Sequence, residues 1–235
     1  MNERWNLDSL YHGFSDPNFT GDLQALKVAC GRFDTFTKSL EEMDPAHALR
    51  QGIEALEEIS SLSNLLLEYA SLRQSADTSD AEASSALGQV MVSQCAGAYV
   101  RFQTYAAGLP NLDEILEADE LLRQYRFYFR QVREGSRYLL GSQGEDIMAK
   151  MQLSGSSAWS DLQAYLTSTV SVDYNGGATN LSAIRNLAYD PDPAVRKAAY
   201  EAELACYDKI KDPVAFALNS IKLETISDCQ LRGYA

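Results

Sequence analysis

Histidine is nearly absent from this 235-residue chain: His12 and His47 are the whole stock. A histidine-rich metal site cannot be built from two such residues. A helical zinc-protease site needs imidazoles at i and i+4 with a Glu between them, so that both nitrogens and the base share one face. His12 is followed by Gly-Phe-Ser-Asp and His47 by Ala-Leu-Arg-Gln, so neither fits. Cysteine is also sparse. Cys30, Cys95, Cys206 and Cys229 form no CxxC pair, which excludes a zinc ribbon or a thioredoxin-type motif. Four unpatterned cysteines suit a reducing, cytoplasmic setting, where the sequons at Asn18 and Asn180 read as chance. Long apolar runs are missing. No stretch approaches the roughly 18 uncharged residues of a membrane span, so no membrane partner is expected. The opening Met-Asn-Glu-Arg-Trp-Asn shows no signal-peptide pattern. Phosphate-binding glycine loops are absent, and the nucleophile elbow fails at Gly155-Ser156-Ser157-Ala158-Trp159. Asp190–Pro193 has alternate acids but neither the glycine nor the closing glutamate of a calcium loop. No catalytic residue, metal ligand or cofactor is assigned to this chain.

Positive charge is short as well. Lys and Arg total 20 against 33 Asp and Glu, a net charge of −13. A nucleic-acid partner is not expected of such a chain. The deficit is local. Residues 1–122 carry 7 Lys and Arg against 20 acids, whereas residues 123–235 carry 13 of each. With 46% hydrophobic residues the chain is long enough to bury a substantial core.

Apolar periodicity predicts a mainly α fold of long antiparallel helices. Gly21-Asp22 is read as a helix start, with Asp22 as N-cap ahead of Leu23, Leu26, Cys30, Phe33, Phe36, Leu40 and Met43. Asp44-Pro45 starts a second helix reaching about Gln74. Proline at the first helical position loses no hydrogen bond there. Ser75–Asp80 is read as a turn. A third helix is expected near Ala81–Ala107, ended by Gly108-Leu109-Pro110-Asn111. A fourth helical region covers Leu112 to about Leu140, broken near Ala118. Ser142-Gln143-Gly144-Glu145 matches a capping box opening a short helix to about Met151. Another follows over Ser156–Thr167. One small β-hairpin is expected near 169–180, because Val170 and Val172 alternate ahead of Asn175-Gly176-Gly177. Helices resume near Leu181, with Asp192-Pro193 and Asp212-Pro213 as further start signals. Gly233 is a natural C-terminal stop. Two subdomains are expected: an acidic long-helix part over 1–111, and a mixed-charge helical part with the hairpin over 112–235.

Trp5, Leu7, Leu10 and Tyr11 are expected to dock the N-terminal segment onto the body. His12 and His47 read as surface or capping residues. One stripe carries a sharper signal. Arg123, Arg126, Arg130, Arg133 and Arg137 are spaced three, four, three, four, so a helix places them on one face. Tyr125, Phe127, Tyr128 and Phe129 interleave. The functional reading is a cationic strip contacting a carboxylate, an acidic partner surface or RNA. The simpler reading is a solvated or internally paired face, with Asp113, Glu114, Glu117, Asp119 and Glu120 close by and Asp119–Arg123 at ion-pair spacing.

Several segments together resemble a family. Trp5-Asn6-Leu7-Asp8-Ser9-Leu10-Tyr11 is similar to the opening of oligoendopeptidase F-type zinc metallopeptidases, relatives of thimet oligopeptidase. So is Tyr138-Leu139-Leu140, followed by an acid-containing helix and Gly155-Ser156-Ser157-Ala158-Trp159. Asp192-Pro193-Ala194-Val195-Arg196-Lys197-Ala198-Ala199-Tyr200 resembles a family segment in which a helix starts on an acid and continues Val-Arg-x-x-Ala-Tyr. Arg232-Gly233-Tyr234 resembles the Arg-Gly-aromatic that closes the N-terminal region. The resemblance implies the N-terminal lobe of a helical clamshell that admits short peptides to a channel. In the family, His-Glu-x-x-His and a further Glu hold zinc in the other lobe. None of those residues can be carried over, so zinc is expected only in a full-length parent. The implied partners are the missing C-terminal catalytic domain and, in the whole enzyme, short peptides. The alternative is a stand-alone helical interaction module using the Arg123–Arg137 stripe. A lobe without its counterpart is expected to expose apolar surface and to self-associate.

Overall fold

The structure is a computed structural model, and the residues it describes are 6–93 and 95–234. Trp5, one of the residues expected to dock, lies outside them. The chain is mainly α with a single two-stranded antiparallel hairpin among the described residues. It divides into two compact units: residues 1–150 with 230–235, and residues 151–229.

The first unit begins with helix α1, Pro17–Phe36. Asp16 is its N-cap. Its carboxylate accepts the N–H groups of Asn18 and His12, each at 2.9 Å. The N-cap expected at Asp22 is therefore six residues late. Asp16-Pro17 is the same Asp-Pro signal that opens two later helices, and Asp22 instead accepts the Tyr11 hydroxyl at 2.8 Å. Helix α2, Pro45–Ala76, starts where expected, with Asp44 capping the His47 N–H at 3.0 Å. The third helix is two pieces, α3 Ala81–Val92 and α4 Ala96–Gly108. Ser93 ends α3 by turning its hydroxyl back to the Gln89 carbonyl at 2.7 Å. The pieces then pack differently, α3 along α2 and α4 along α7. The fourth region breaks into α5 Leu112–Ala118, α6 Glu120–Gln124 and α7 Arg126–Gly135, with a 3₁₀ turn over Ser136–Tyr138.

Two apolar clusters hold this unit. One joins Phe33, Leu49, Ile53, Phe102, Leu122 and Phe129. Gly52 makes it possible: a Cβ there would lie 2.0 Å from the Phe102 ring, so only glycine lets α4 approach α2 this closely. The other gathers Phe19, Leu26, Leu66, Tyr69 and Val90 under the N-terminal segment. Tyr11 is buried there, edge-on to Phe19 and Tyr69 at 5.2 and 5.3 Å, so the expected docking holds for Leu7, Leu10 and Tyr11. The first cluster draws on residues from both sides of 111.

Helix α8, Ser142–Ser154, carries the chain out of the first unit. The second unit holds α9 Ser156–Thr169, strands β1 Ser171–Tyr174 and β2 Gly177–Asn180, α10 Leu181–Asn186, α11 Pro193–Tyr207 and most of α12 Lys211–Arg232. The hairpin turns on Asn175 and Gly176, with φ of 50° and 78°, the pair of positive values that Asn-Gly supplies readily. Tyr174 pairs with Gly177 and Ser171 with Asn180. Asp192 caps α11 as expected. Helix α12 starts at Lys211, one residue before the expected Asp212, and Pro213 falls in its first turn. The core is small: Val170, Val172, Leu181, Ile184, Cys206 and Ile210 with Ala199. Helix α12 buries Ala217 alone, whereas Phe216 and Leu223 are 71% and 67% exposed.

Candidate functional site

The arginine stripe is not one helical face. Tyr125 separates α6 from α7, and Arg137 sits in the 3₁₀ turn, so only Arg126, Arg130 and Arg133 share a helix. Their charges are largely met within the chain. Arg123 donates to the Glu117 carbonyl at 3.0 Å and lies 3.7 Å from the Glu117 carboxylate. Arg126 reaches the same carboxylate at 3.9 Å. Arg133 donates to Asp113 at 3.0 Å. Arg137 stacks its guanidinium 4.6 Å over the Tyr138 ring. Arg130 makes no ion pair among the described residues. The Asp119–Arg123 pair expected from spacing does not form. Asp119 instead accepts the Leu122 N–H, which holds its carboxyl below the usual range, and a two-pronged contact from Arg50 at 2.9 Å adds to this. That partner stands on α2, far along the chain, where spacing gives no hint of it.

The segments that carry the family resemblance converge instead. Within the first unit, Arg232 donates to both oxygens of Glu145, at 2.5 and 2.8 Å, and to the Tyr138 carbonyl at 3.1 Å. Glu145 also accepts the Leu140 N–H at 3.0 Å. The expected capping box is thus replaced. Glu145 reaches back past Ser142, and its own N–H bonds the Gly141 carbonyl at 2.9 Å. Both charged side chains are only 15% and 13% exposed. Arg232 holds the Glu145 carboxyl below its ordinary value. Tyr138 and Tyr234 pack with ring centroids 4.6 Å apart. Gly233, at φ 74°, lets the chain turn after α12 to place Tyr234.

A second convergence lies inside the other unit. The Glu224 carboxylate accepts both the N–H and the hydroxyl of Ser156, at 2.6 and 2.7 Å, and so caps α9 from outside. Gly155 leaves room for this contact: a Cβ there would sit 2.2 Å from Glu224 Oε2 and 3.1 Å from the Met151 carbonyl, so the carboxylate would have to move. The Gly-Ser pair was legible as a motif. Glu224, 68 residues on, was not.

Each acid is engaged by its partners. His12 is a loop residue 3.7 Å from Asp8, and His47 lies in the first turn of α2. No group of three His, Cys, Asp or Glu residues among the described residues could hold a metal ion. These residues do not fit a catalytic zinc. A groove of about 850 Å³ also opens on the first unit, lined from α2, α4, α7 and Tyr125 just before it, and including Glu57, Tyr99 and Tyr128. No helix of the described residues is long and apolar enough to cross a membrane.

The comparisons agree with this geometry. A family model described as Oligopeptidase F matches residues 109–171. That span runs from the end of α4 through Tyr138, Glu145 and the Gly155-Ser156 corner into the hairpin. The fold is similar to the crystal structure of oligoendopeptidase-F from Enterococcus faecium, with a TM-score of 0.78 at 18% identity over 94% of this chain. The chain spans 45% of the length of that protein. No curated relative matches the sequence. The resemblance of the chain to the N-terminal region of such a peptidase therefore stands on a sequence match in its middle and on its fold throughout.

Proposed function

We propose that this chain is the non-catalytic N-terminal portion of a zinc-dependent oligoendopeptidase that hydrolyses short peptides, and that it forms one wall of the substrate channel. The carrying observation is the match over 109–171 on a fold shared with less than half of oligoendopeptidase-F. In this reading the zinc and its ligands belong to a C-terminal catalytic domain outside the chain. Residues here restrict and position substrate; they do not move protons. The exposed apolar side chains of the second unit, Tyr189, Tyr200, Phe216, Leu218, Leu223 and Ile226, support a missing counterpart and predict self-association of the isolated chain. The cytoplasmic setting belongs to the same proposal.

The test is a peptidase assay on two proteins. The chain alone, with added zinc, is expected to give no chelator-sensitive cleavage of a short peptide. The reading frame extended downstream into His-Glu-x-x-His is expected to give it. Chelator-sensitive cleavage by the chain alone overturns the non-catalytic assignment. A stop codon directly after Ala235, with a monomeric soluble product, overturns the fragment assignment and favours the interaction module, for which Arg130 is the first arginine to substitute.

A further inference from the structure

The groove on the first unit has a composition that the channel reading does not use. Its floor, from α2, carries four aliphatic side chains, Ile53, Leu56, Ile59 and Leu67, interspersed with Ser60, Ser61, Ser63 and Asn64. Its other side carries three tyrosines. The Tyr125 and Tyr128 rings stand at 89° to one another with centroids 6.5 Å apart, so two ring planes meet at a corner. The Tyr128 hydroxyl donates to the Tyr99 hydroxyl at 3.4 Å, which joins a third ring to them. Glu57 is the one charged side chain of the lining among the described residues, and the Tyr125 hydroxyl donates to it. That contact and burial both keep the Tyr125 hydroxyl protonated by raising its pKa. Among the described residues, no Lys, Arg or His lines the groove. Of the arginines close in sequence to these tyrosines, Arg123 and Arg126 turn to Glu117 and Arg101 to Asp34.

Aromatic faces attract cations through their quadrupole, a carboxylate adds a full charge, and an aliphatic floor accepts an alkyl or aryl body. We infer that this groove binds a hydrophobic ammonium, a compact organic cation held at the Tyr99–Tyr125–Tyr128 corner beside Glu57 with its apolar body along α2. The charge complementarity is local to the groove and reinforced by the acidic composition of residues 1–122. The site lies wholly in the first unit, so it depends on no catalytic part and goes beyond the channel reading.

The probe is n-hexyltrimethylammonium, titrated calorimetrically against the intact chain, with 1-hexanol and hexanoate as matched neutral and anionic controls. One ammonium per chain is expected, bound about ten-fold more tightly than 1-hexanol, with hexanoate weakest. Glu57→Gln is expected to weaken the ammonium several-fold and leave 1-hexanol unchanged. Glu57 is exposed, so this variant keeps the fold, and an unchanged melting temperature checks that. Tyr125→Phe keeps the ring but releases the Glu57 contact, and is expected to retain most of the affinity. Equal binding of ammonium and alcohol overturns the inference. So does an absence of binding, or a multi-site response unaffected by Glu57→Gln, which would report the acidic surface at large. The peptidase assay is blind to these outcomes, so the two readings fail separately.

Discussion

The two compact units solve the same problem with unequal means. The first buries two clusters, and its largest fully buried side chains include Tyr69, Phe33, Phe102 and Phe129. The second has one cluster of seven residues in which no Phe or Tyr is buried. Its longest helix shows most of its apolar side chains to solvent. Sequence hydrophobicity does not separate the two, because Phe216, Leu223 and Ile226 look like core residues by type. What separates them is whether another element covers the helix face. The first unit stabilises itself by packing. Polar fixings occur in both, Glu224 on Ser156 and Lys209 on Asp173 in the second, Arg50 on Asp119 and Arg232 on Glu145 in the first.

That contrast can be broken at its strongest point. Leu66→Ala, in a fully buried position of α2, is expected to destabilise the first unit by about 3–5 kcal/mol in urea unfolding. Ile184→Ala in the second unit is expected to cost about 2–3 kcal/mol, because a thin core collapses more readily onto the cavity. Equal losses would remove the energetic meaning of the difference.

Next comes the ion pair. Arg232→Met leaves Glu145 half-enclosed without its partner, and a loss of about 3 kcal/mol is expected. The pH dependence has a fixed sign. The Glu145 carboxyl is lowered from 4.5 by Arg232, so the contribution is complete above about pH 4.5 and lost as pH falls through the depressed folded value. The double variant Arg232→Met with Glu145→Gln is expected to lose this acid sensitivity. An unchanged acid profile in both variants would assign it to other carboxyls.

Gly155→Ala drives a methyl into the Glu224 carboxylate and releases the Ser156 cap. About 1–2 kcal/mol is expected, confined by hydrogen exchange to residues 151–229. Protection lost in the first unit as well would mean that the units are not independent in stability. The smallest effect belongs to the arginine stripe. Arg126→Ala breaks a 3.9 Å contact between side chains 64% and 59% exposed, and a change within about 0.5 kcal/mol is expected.

Much of the fold was legible because its signals are local. Asp44-Pro45 and Asp192-Pro193 cap where they should, and Asn175-Gly176 makes its turn. Periodicity failed where packing decides. It could not see that α3 and α4 diverge at Ser93, or that Tyr125 divides the arginines, since each stretch continues the same apolar rhythm. Long-range polar partners were least legible. Arg50 with Asp119, Arg232 with Glu145 and Glu224 with Ser156 join residues 68 to 87 positions apart, and neither member of such a pair marks the other. The resemblance located Arg232 and Gly155 as motif pieces, and the fold supplied the reasons for both.

The contact between Arg232 and Glu145 also fixes an order of events. The chain leaves the first unit after residue 150 and returns to it at 230. On a ribosome, the last strap of the first unit emerges after the whole of the second. Until then Glu145 and the Tyr138 carbonyl have no guanidinium to meet. The nascent first unit is a nearly finished body with one open latch, and the second unit is an excursion whose two stems the latch ties off.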